Sequence, residues 1–180
     1  DLVSMARPML ADAELMKKAA EGREHEINTC IACNQACLDH TFAMKTTSCL
    51  VNPRACHETQ LKWGPATVTK NIAVVGAGPA GLAYATVAAE RGHAVTLYDA
   101  ADEVGGQFNL AKQVPGKEEF HETLRYYRAM LEKYDVMVKL GQRVDADQLS
   151  EAGFDHVVVA TGISPRVPQI PGIEHEKVVG

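Results

Sequence analysis

The rhythm of apolar and polar positions changes at residue 70. From Asn71 onward short β-branched runs alternate with longer stretches of helical spacing. Ile72-Ala73-Val74-Val75, Val95-Thr96-Leu97-Tyr98 and Val157-Val158-Val159-Ala160 are the plainest runs. The pattern predicts strands at 71–76, 94–99, 136–140 and 156–160, with helices at 79–91 and about 117–133. Gly92 closes the first helix, and Pro115-Gly116 opens the second. Strands alternating with helices of this length imply a parallel sheet joined by helical crossovers. The unbroken apolar run at 157–160 is the mark of a central strand covered on both faces.

Upstream the rhythm is different. Residues 1 to about 24 read as a turn followed by one helix, with Asp12 as its N-cap and Gly22 at the C′ position. Its apolar stripe, Leu15, Met16 and Ala19, needs a partner surface. Residues 25 to about 60 have little periodicity and hold all the cysteines, so a bound metal is the expected source of their order. Trp63-Gly64-Pro65-Ala66-Thr67 breaks regular structure and marks a boundary. At the other end the proline-rich stretch Pro165 to Pro171 leaves the sheet. The chain starts at Asp1 without Met and stops at Gly180 with no evident ending, as an internal stretch of something longer would.

Composition narrows the classes. A 180-residue chain that is 46% apolar can bury a sizeable core. Its net charge of −5, without a basic stripe, argues against nucleic acid as a partner. No run approaches the ~18 uncharged apolar residues of a membrane span, and the N-terminus lacks the layout of a secretory signal. Five cysteines crowded between Cys30 and Cys56 point to metal and a reducing, cytoplasmic compartment rather than to disulfides.

Chemistry enters at the end of the first strand. Gly76-Ala77-Gly78-Pro79-Ala80-Gly81 follows a β-branched run and opens an apolar helix, the setting in which Gly-x-Gly-x-x-Gly holds a dinucleotide. Gly76 permits the turn, Gly78 lets backbone approach a pyrophosphate, and Gly81 lets helix and strand pack closely. The helix N-terminus offers its free N–H groups to the phosphates. Asp99, closing the next strand, is placed to accept a ribose hydroxyl. A three-layer, Rossmann-like α/β fold is expected, with Gly76–Gly81, Asp99 and Thr161-Gly162 converging at the carboxyl ends of the strands.

The cysteines are spaced Cys30-x2-Cys33-x3-Cys37-x11-Cys49. Four thiolates suit an iron–sulfur cluster or a tetrahedral zinc. Zinc sites usually pair two short knuckles, and the second knuckle is missing here; three-then-one spacing is nearer to iron–sulfur ligation, with zinc and unligated thiols as the alternatives. Cys56 reads as a small buried apolar residue, and His40 and His57 read as surface or capping groups rather than ligands.

Asn28 to Asp39 and Ser48 to Cys56, joined to Gly76–Gly81, Gly105-Gly106-Gln107-Phe108 and Ala160-Thr161-Gly162, resemble the multi-cofactor NADH:flavin oxidoreductases over essentially the whole chain. The x3 spacing before Cys37 is nearer to the bacterial 2,4-dienoyl-CoA reductase branch than to trimethylamine dehydrogenase. The resemblance implies a TIM barrel carrying FMN, then a [4Fe-4S] segment, then an FAD domain interrupted by an NADPH domain. It divides this chain into a barrel remnant at 1–24, a cluster segment and linker at 25–66, and the first part of an FAD domain at 67–180. Cys30, Cys33, Cys37 and Cys49 would ligate the cluster. Gly76, Ala77, Gly78, Pro79, Ala80 and Gly81 would hold the FAD pyrophosphate, Asp99 the ribose, Gly106 and Gln107 the neighbouring part of the cofactor, and Val144 the adenine. Ala160, Thr161 and Gly162 would line its strand-end side, and Arg7 would meet the FMN phosphate. Electrons would pass from NADPH to FAD, cluster, FMN and a dienoyl-CoA substrate bound in the barrel. The acid that protonates this substrate would lie outside the chain, so no catalytic residue is assigned. Two other readings compete: the pyridine-nucleotide-oxidising part of a glutamate-synthase-like complex, and a zinc-stabilised nucleotide-binding module.

Overall fold

The computed structural model describes residues 2–164, 166 and 168–178. Pro165, within the expected proline-rich exit, and Gly180, at the chain's end, lie outside the described residues. Four parallel strands, β1 (Asn71–Val75), β2 (Ala94–Tyr98), β3 (Met137–Lys139) and β4 (His156–Val159), form one sheet in the order β3-β2-β1-β4. β1 runs in register with β2 from Asn71↔Ala94 to Val75↔Tyr98, and with β4 from Ile72↔His156 to Val75↔Val159. The strands fall within a residue or two of their expected bounds, because β-branched runs between turn residues leave little choice.

The helices divide more unevenly. Those expected at 79–91 and 117–133 are present as α4 (Pro79–Glu90) and α6 (Phe120–Lys133). α6 starts three residues late, after turns at Val114–Lys117 and Lys117–Phe120. Where a turn and one helix were expected, two helices form, α1 (Arg7–Ala11) in place of the turn and α2 (Leu15–Ala20) after it, with the break at Asp12. Asp12 does not serve as the N-cap residue. Its buried carboxylate accepts the Glu14 N–H, the Lys18 ammonium and the Asn28 N–H, and these ties pin the break. Gly22 does end α2: at φ +66 it lets Gly22 N–H reach Ala19 and Arg23 N–H reach Lys18, a complete Schellman pair. The expected stripe is not buried, for Met16 is 59% exposed. Three further helices are short: α3 (Leu38–Phe42), α5 (Phe108–Ala111) and α7 (Ala146–Glu151), the last closed by a capping box between Asp145 and Gln148.

The core lies on one side of the sheet, where α4 and α6 pack together. Val74, Leu82, Leu97 and Leu124 are fully buried there. β4 corrects an expectation. It is the edge strand, with Val157 43% and Val159 73% exposed. Its apolar run is suited to cover on both faces, yet one face has no layer over it among the described residues.

A buried ion network joins the N-terminal segment to α6. Glu26, 7% exposed, accepts from Lys133 Nζ at 2.5 Å and Arg23 Nη1 at 2.6 Å. Lys133 above all, and then Arg23, hold its carboxyl below the ordinary carboxylate range, against the opposing effect of burial. A lowered pKa in the folded state contributes stability above the unfolded value, and that stability is lost as pH falls through the folded value. Glu26→Gln is therefore expected to unfold more easily at neutral pH, and its deficit to shrink as the medium is acidified through the carboxylate range. Denaturant unfolding across that range checks this; two curves that stay parallel would refute it.

Candidate functional site

Two sites form, and the sequence motifs account for both. The first is a cleft of about 180 Å³ at the carboxyl ends of the strands, lined by Gly76, Asp99, Val144 and Thr161 together with Val75, Ala100, Gln142 and Arg143. Of the residues expected to converge, Gly76, Asp99 and Thr161 line it, while Gly162 and residues 77–81 lie outside its lining. Gly76 sits at φ +110, and a Cβ there would overlap the Ala160 carbonyl at the end of β4. A Cβ on Gly81 would overlap the Gly76 carbonyl, so the third glycine is the one that lets α4 lie against its own strand. Gly78 is different. A Cβ there meets nothing within 4 Å, and the space it would occupy is the space a pyrophosphate would need.

Asp99 closes this turn from the neighbouring strand. Its Oδ2 accepts the Ala77 N–H at 2.5 Å and its Oδ1 the Ala101 N–H at 2.8 Å, leaving further lone pairs on the carboxylate. Ala77 O in turn accepts the Gly105 N–H at 2.7 Å, and Gly106 lies so close that its Cβ would stand 3.1 Å from Gly78 Cα. Gln107 Nε2 donates to the Ile163 carbonyl at 3.0 Å, bracing the Thr161-Gly162 loop. Pro79 and Ala80 are exposed in the first turn of α4. Gln142 and Arg143 were missed by sequence reasoning. They stand beside Val144 because Gln142 N–H bonds the Asp99 carbonyl at 2.8 Å, a long-range tie with no local signature.

The second site is a cavity lined by Cys30, Cys33, Cys37 and Cys49, with Arg7, Leu10, Ile31, Asn34, Ala36, Leu50 and Val51 around them. The Cys30–Cys37 loop takes left-handed backbone at Ala32 (φ +54) and Asn34 (φ +61) to turn its thiols inward. Ser48 N–H on the Ala36 carbonyl at 2.7 Å brings Cys49 across. Burial pushes the Cys49 thiol above its ordinary value; the backbone of Val51 and Asn52 acts against this, and Cys30 and Cys33 add to it by repulsion. The Asn52 N–H closes the turn on the Cys49 carbonyl at 3.2 Å. Among the described residues no three Cys, His, Asp or Glu side chains are placed to hold a single metal ion. All four cysteines line the one cavity.

Cys56 departs from expectation. It is exposed at φ +64 and lies outside this cavity, because its N–H is held by Glu58 and the turn carries it outward. His40 bonds the Thr46 carbonyl at 3.0 Å and does not line the cavity. Arg7 lies on the cavity wall, donating to Asn34 Oδ1 at 2.5 Å.

Residues 70–179 match the family described as pyridine nucleotide-disulphide oxidoreductase. The chain belongs to that family. Its relatives extend the likeness upstream through the cysteines. A metal reductase of Desulforamulus reducens is 41% identical over 99% of this chain and 27% of its own length. An NADH oxidase of Thermoanaerobacter brockii is 39% identical over 98% of this chain and 27% of its own. The structure of a 2-naphthoyl-CoA reductase bound to 2-naphthoyl-CoA superposes with a TM-score of 0.93 at 40% identity, covering 96% of this chain and 26% of that one. The chain thus spans about a quarter of the length of these relatives, each named as a reductase or an oxidase, and its parallel sheet is the Rossmann-like fold of a pyridine nucleotide-disulphide oxidoreductase domain. Among the described residues no helix is long and apolar enough to cross a membrane.

The three glycines separate by experiment. Gly81→Ala is expected to cost about 1–3 kcal/mol of stability through overpacking. Gly78→Ala, at an N-cap facing open space, is expected to cost about 1 kcal/mol or less while lowering flavin content. Unfolding and flavin-release assays on the two variants check this; full flavin retention in Gly78→Ala would contradict the assigned path of the pyrophosphate.

Proposed function

We propose that this chain is the electron-transfer portion of a flavoprotein reductase, with FAD in the glycine cleft and a [4Fe-4S] cluster among Cys30, Cys33, Cys37 and Cys49. The observation that carries the reading is that four thiols surround one cavity in the same chain as a dinucleotide cleft. When bound, these groups would supply hydride acceptance from a reduced nicotinamide (FAD) and one-electron transfer toward FMN (the cluster). The residues of the chain hold these groups. Gly78 leaves room for the pyrophosphate, and the free N–H groups at the start of α4 face it. Asp99 keeps lone pairs for a ribose hydroxyl while locking the turn. Val144 backs the adenine side, with Arg143 beside it. Leu10, Ile31, Leu50 and Val51 keep the cysteine cavity apolar, and the backbone of Val51 and Asn52 partly offsets the burial that raises the Cys49 thiol. Arg7, on the wall of that cavity, is the group that would meet an FMN phosphate.

The substrate we propose is an unsaturated acyl-CoA thioester of the dienoyl type, reduced at a site this chain does not contain. The bound thioester in the superposable naphthoyl-CoA reductase supports that class. A single zinc ion is the competing occupant of the cysteine site. Zinc sites usually pair two short knuckles, and the three-then-one spacing of Cys30, Cys33, Cys37 and Cys49 without a second knuckle favours the cluster.

An anaerobic visible spectrum of the holoprotein, with iron, sulfide and zinc assays, tests the reading. Flavin bands with about four irons per chain are expected; zinc without iron would overturn it. Cys33→Ala is then expected to leave flavin reduction by NADPH intact and to stop electron arrival at FMN. Unchanged turnover in that variant would sink the relay.

A further inference from the structure

One side chain that neither motif includes ties α6 to the segment that leads into Cys30. Arg125 projects from α6 with its Nε on Glu122 at 2.5 Å. Its Nη1 donates to the carbonyls of His25 at 2.5 Å and Glu24 at 3.3 Å. Its Nη2 donates to the Ile27 carbonyl at 2.8 Å and to Thr29 Oγ1 at 3.3 Å. A guanidinium has five N–H donors in a rigid fork, and each of the five is used. Two turns further along the same flank of α6, Lys133 holds the buried Glu26. Residues 24–29 are therefore gripped at several points along one helix, and the next residue is Cys30.

The grip continues in both directions. Asn28 Nδ2 donates to the Val51 carbonyl at 2.8 Å, so the strap before Cys30 is bonded to the turn after Cys49. On the other side, Leu124 and Leu131 of α6 pack with Leu82, Ala85 and Ala88 of α4, whose first turn is the glycine cleft. A continuous chain of contacts runs from the first turn of α4 through α6 and Arg125 to Thr29, the residue before Cys30. Carbonyl-to-guanidinium bonds fix backbone rather than side-chain positions, which is what setting the distance between two cofactors requires.

We infer that Arg125 is a positioning residue that fixes the cysteine site against the dinucleotide cleft and so sets the rate of electron passage between them. The inference rests on the reading of the cysteine cavity as a cluster site. A lysine cannot replace it, having three donors and no planar fork.

The test uses the holoprotein that carries this chain, with Arg125→Ala, Arg125→Lys and, as a surface control, Arg128→Ala. Rapid-mixing with NADPH separates flavin reduction from reduction of the iron–sulfur centre. Arg125→Ala is expected to leave the first unchanged and to slow the second by on the order of ten- to a hundredfold, the scale of effect that small misplacements produce. Arg125→Lys should recover little of it, and Arg128→Ala should match the unaltered protein. Hydrogen exchange should quicken at residues 24–30 and stay unchanged in α4. Unaltered reduction of the iron–sulfur centre in Arg125→Ala, or equal slowing of both steps, overturns the inference. Should that variant lose its iron, exchange at 24–30 decides: protection equal to the unaltered protein refutes the grip. An unaltered holoprotein with flavin and no iron would refute the cluster reading, and the exchange measurement would still judge the grip.

Discussion

Everything in the strand-end cleft depends on how closely the backbone approaches itself at Gly76. Its carbonyl occupies the place of any Gly81 side chain, and the Ala160 carbonyl occupies the place of its own. At this turn the ends of β1 and β4 and the start of α4 therefore meet main chain against main chain. The turn's remaining polar groups are then matched across the sheet, with Ala77 N–H on Asp99 and the Ala77 carbonyl on Gly105. Buried backbone groups must find partners, and here the partners are the same residues that face the cleft. Packing and site construction are one event. A cofactor edge would meet a surface already rigid, which lowers the ordering cost of binding.

The cysteine cavity is built on a different principle. Its loop has almost no regular structure, and left-handed Ala32 and Asn34 add local cost. Order comes from single long-range bonds: Asn28 to Val51, Asn52 to the Leu10 carbonyl, Ser48 to the Ala36 carbonyl. Charge is spent in the same way. Burying Glu26 and Asp12 carries a desolvation cost that their lysine and arginine partners offset only with good geometry. Such pairs are weak sources of stability and strong sources of register, and a segment that must present four thiols needs register most.

The difference decides what was legible in the sequence. The strands, α4, α6 and the glycine turn were readable because period-two and period-3.6 patterns and the Gly-x-Gly-x-x-Gly spacing are local. Gly22 and its Schellman pair were readable for the same reason. The break at Asp12 was not, since the Lys18 and Asn28 groups that hold it act across six and sixteen residues. α7 carried a local signal that was overlooked, the Asp145-x-x-Gln148 capping box. Cys56 was misread as buried because cysteine burial is a statistical habit, while its φ of +64 and the Glu58 bond are particular to this turn. Arg125 was invisible, because its partners lie about a hundred residues away.

The misplacement of β4 has a more instructive cause. Hydropathy along a strand records the surroundings in which the strand is selected, and Val157 and Val159 are as apolar as a doubly covered strand requires. Yet β4 forms the sheet edge, paired on one side only. The two observations agree if this edge and its open face are contact surfaces for a further layer of an oxidoreductase whose relatives are about four times the length of this chain. Ala160, Thr161 and Gly162 follow directly from that strand. The Ala160 side of the cleft is thus fixed from within, by Gly76, and is open to being closed from without. Clefts at seams between units are favoured places for small molecules, and one wall of this cleft is held constant by Gly76 against Ala160 and Gly81 against Gly76.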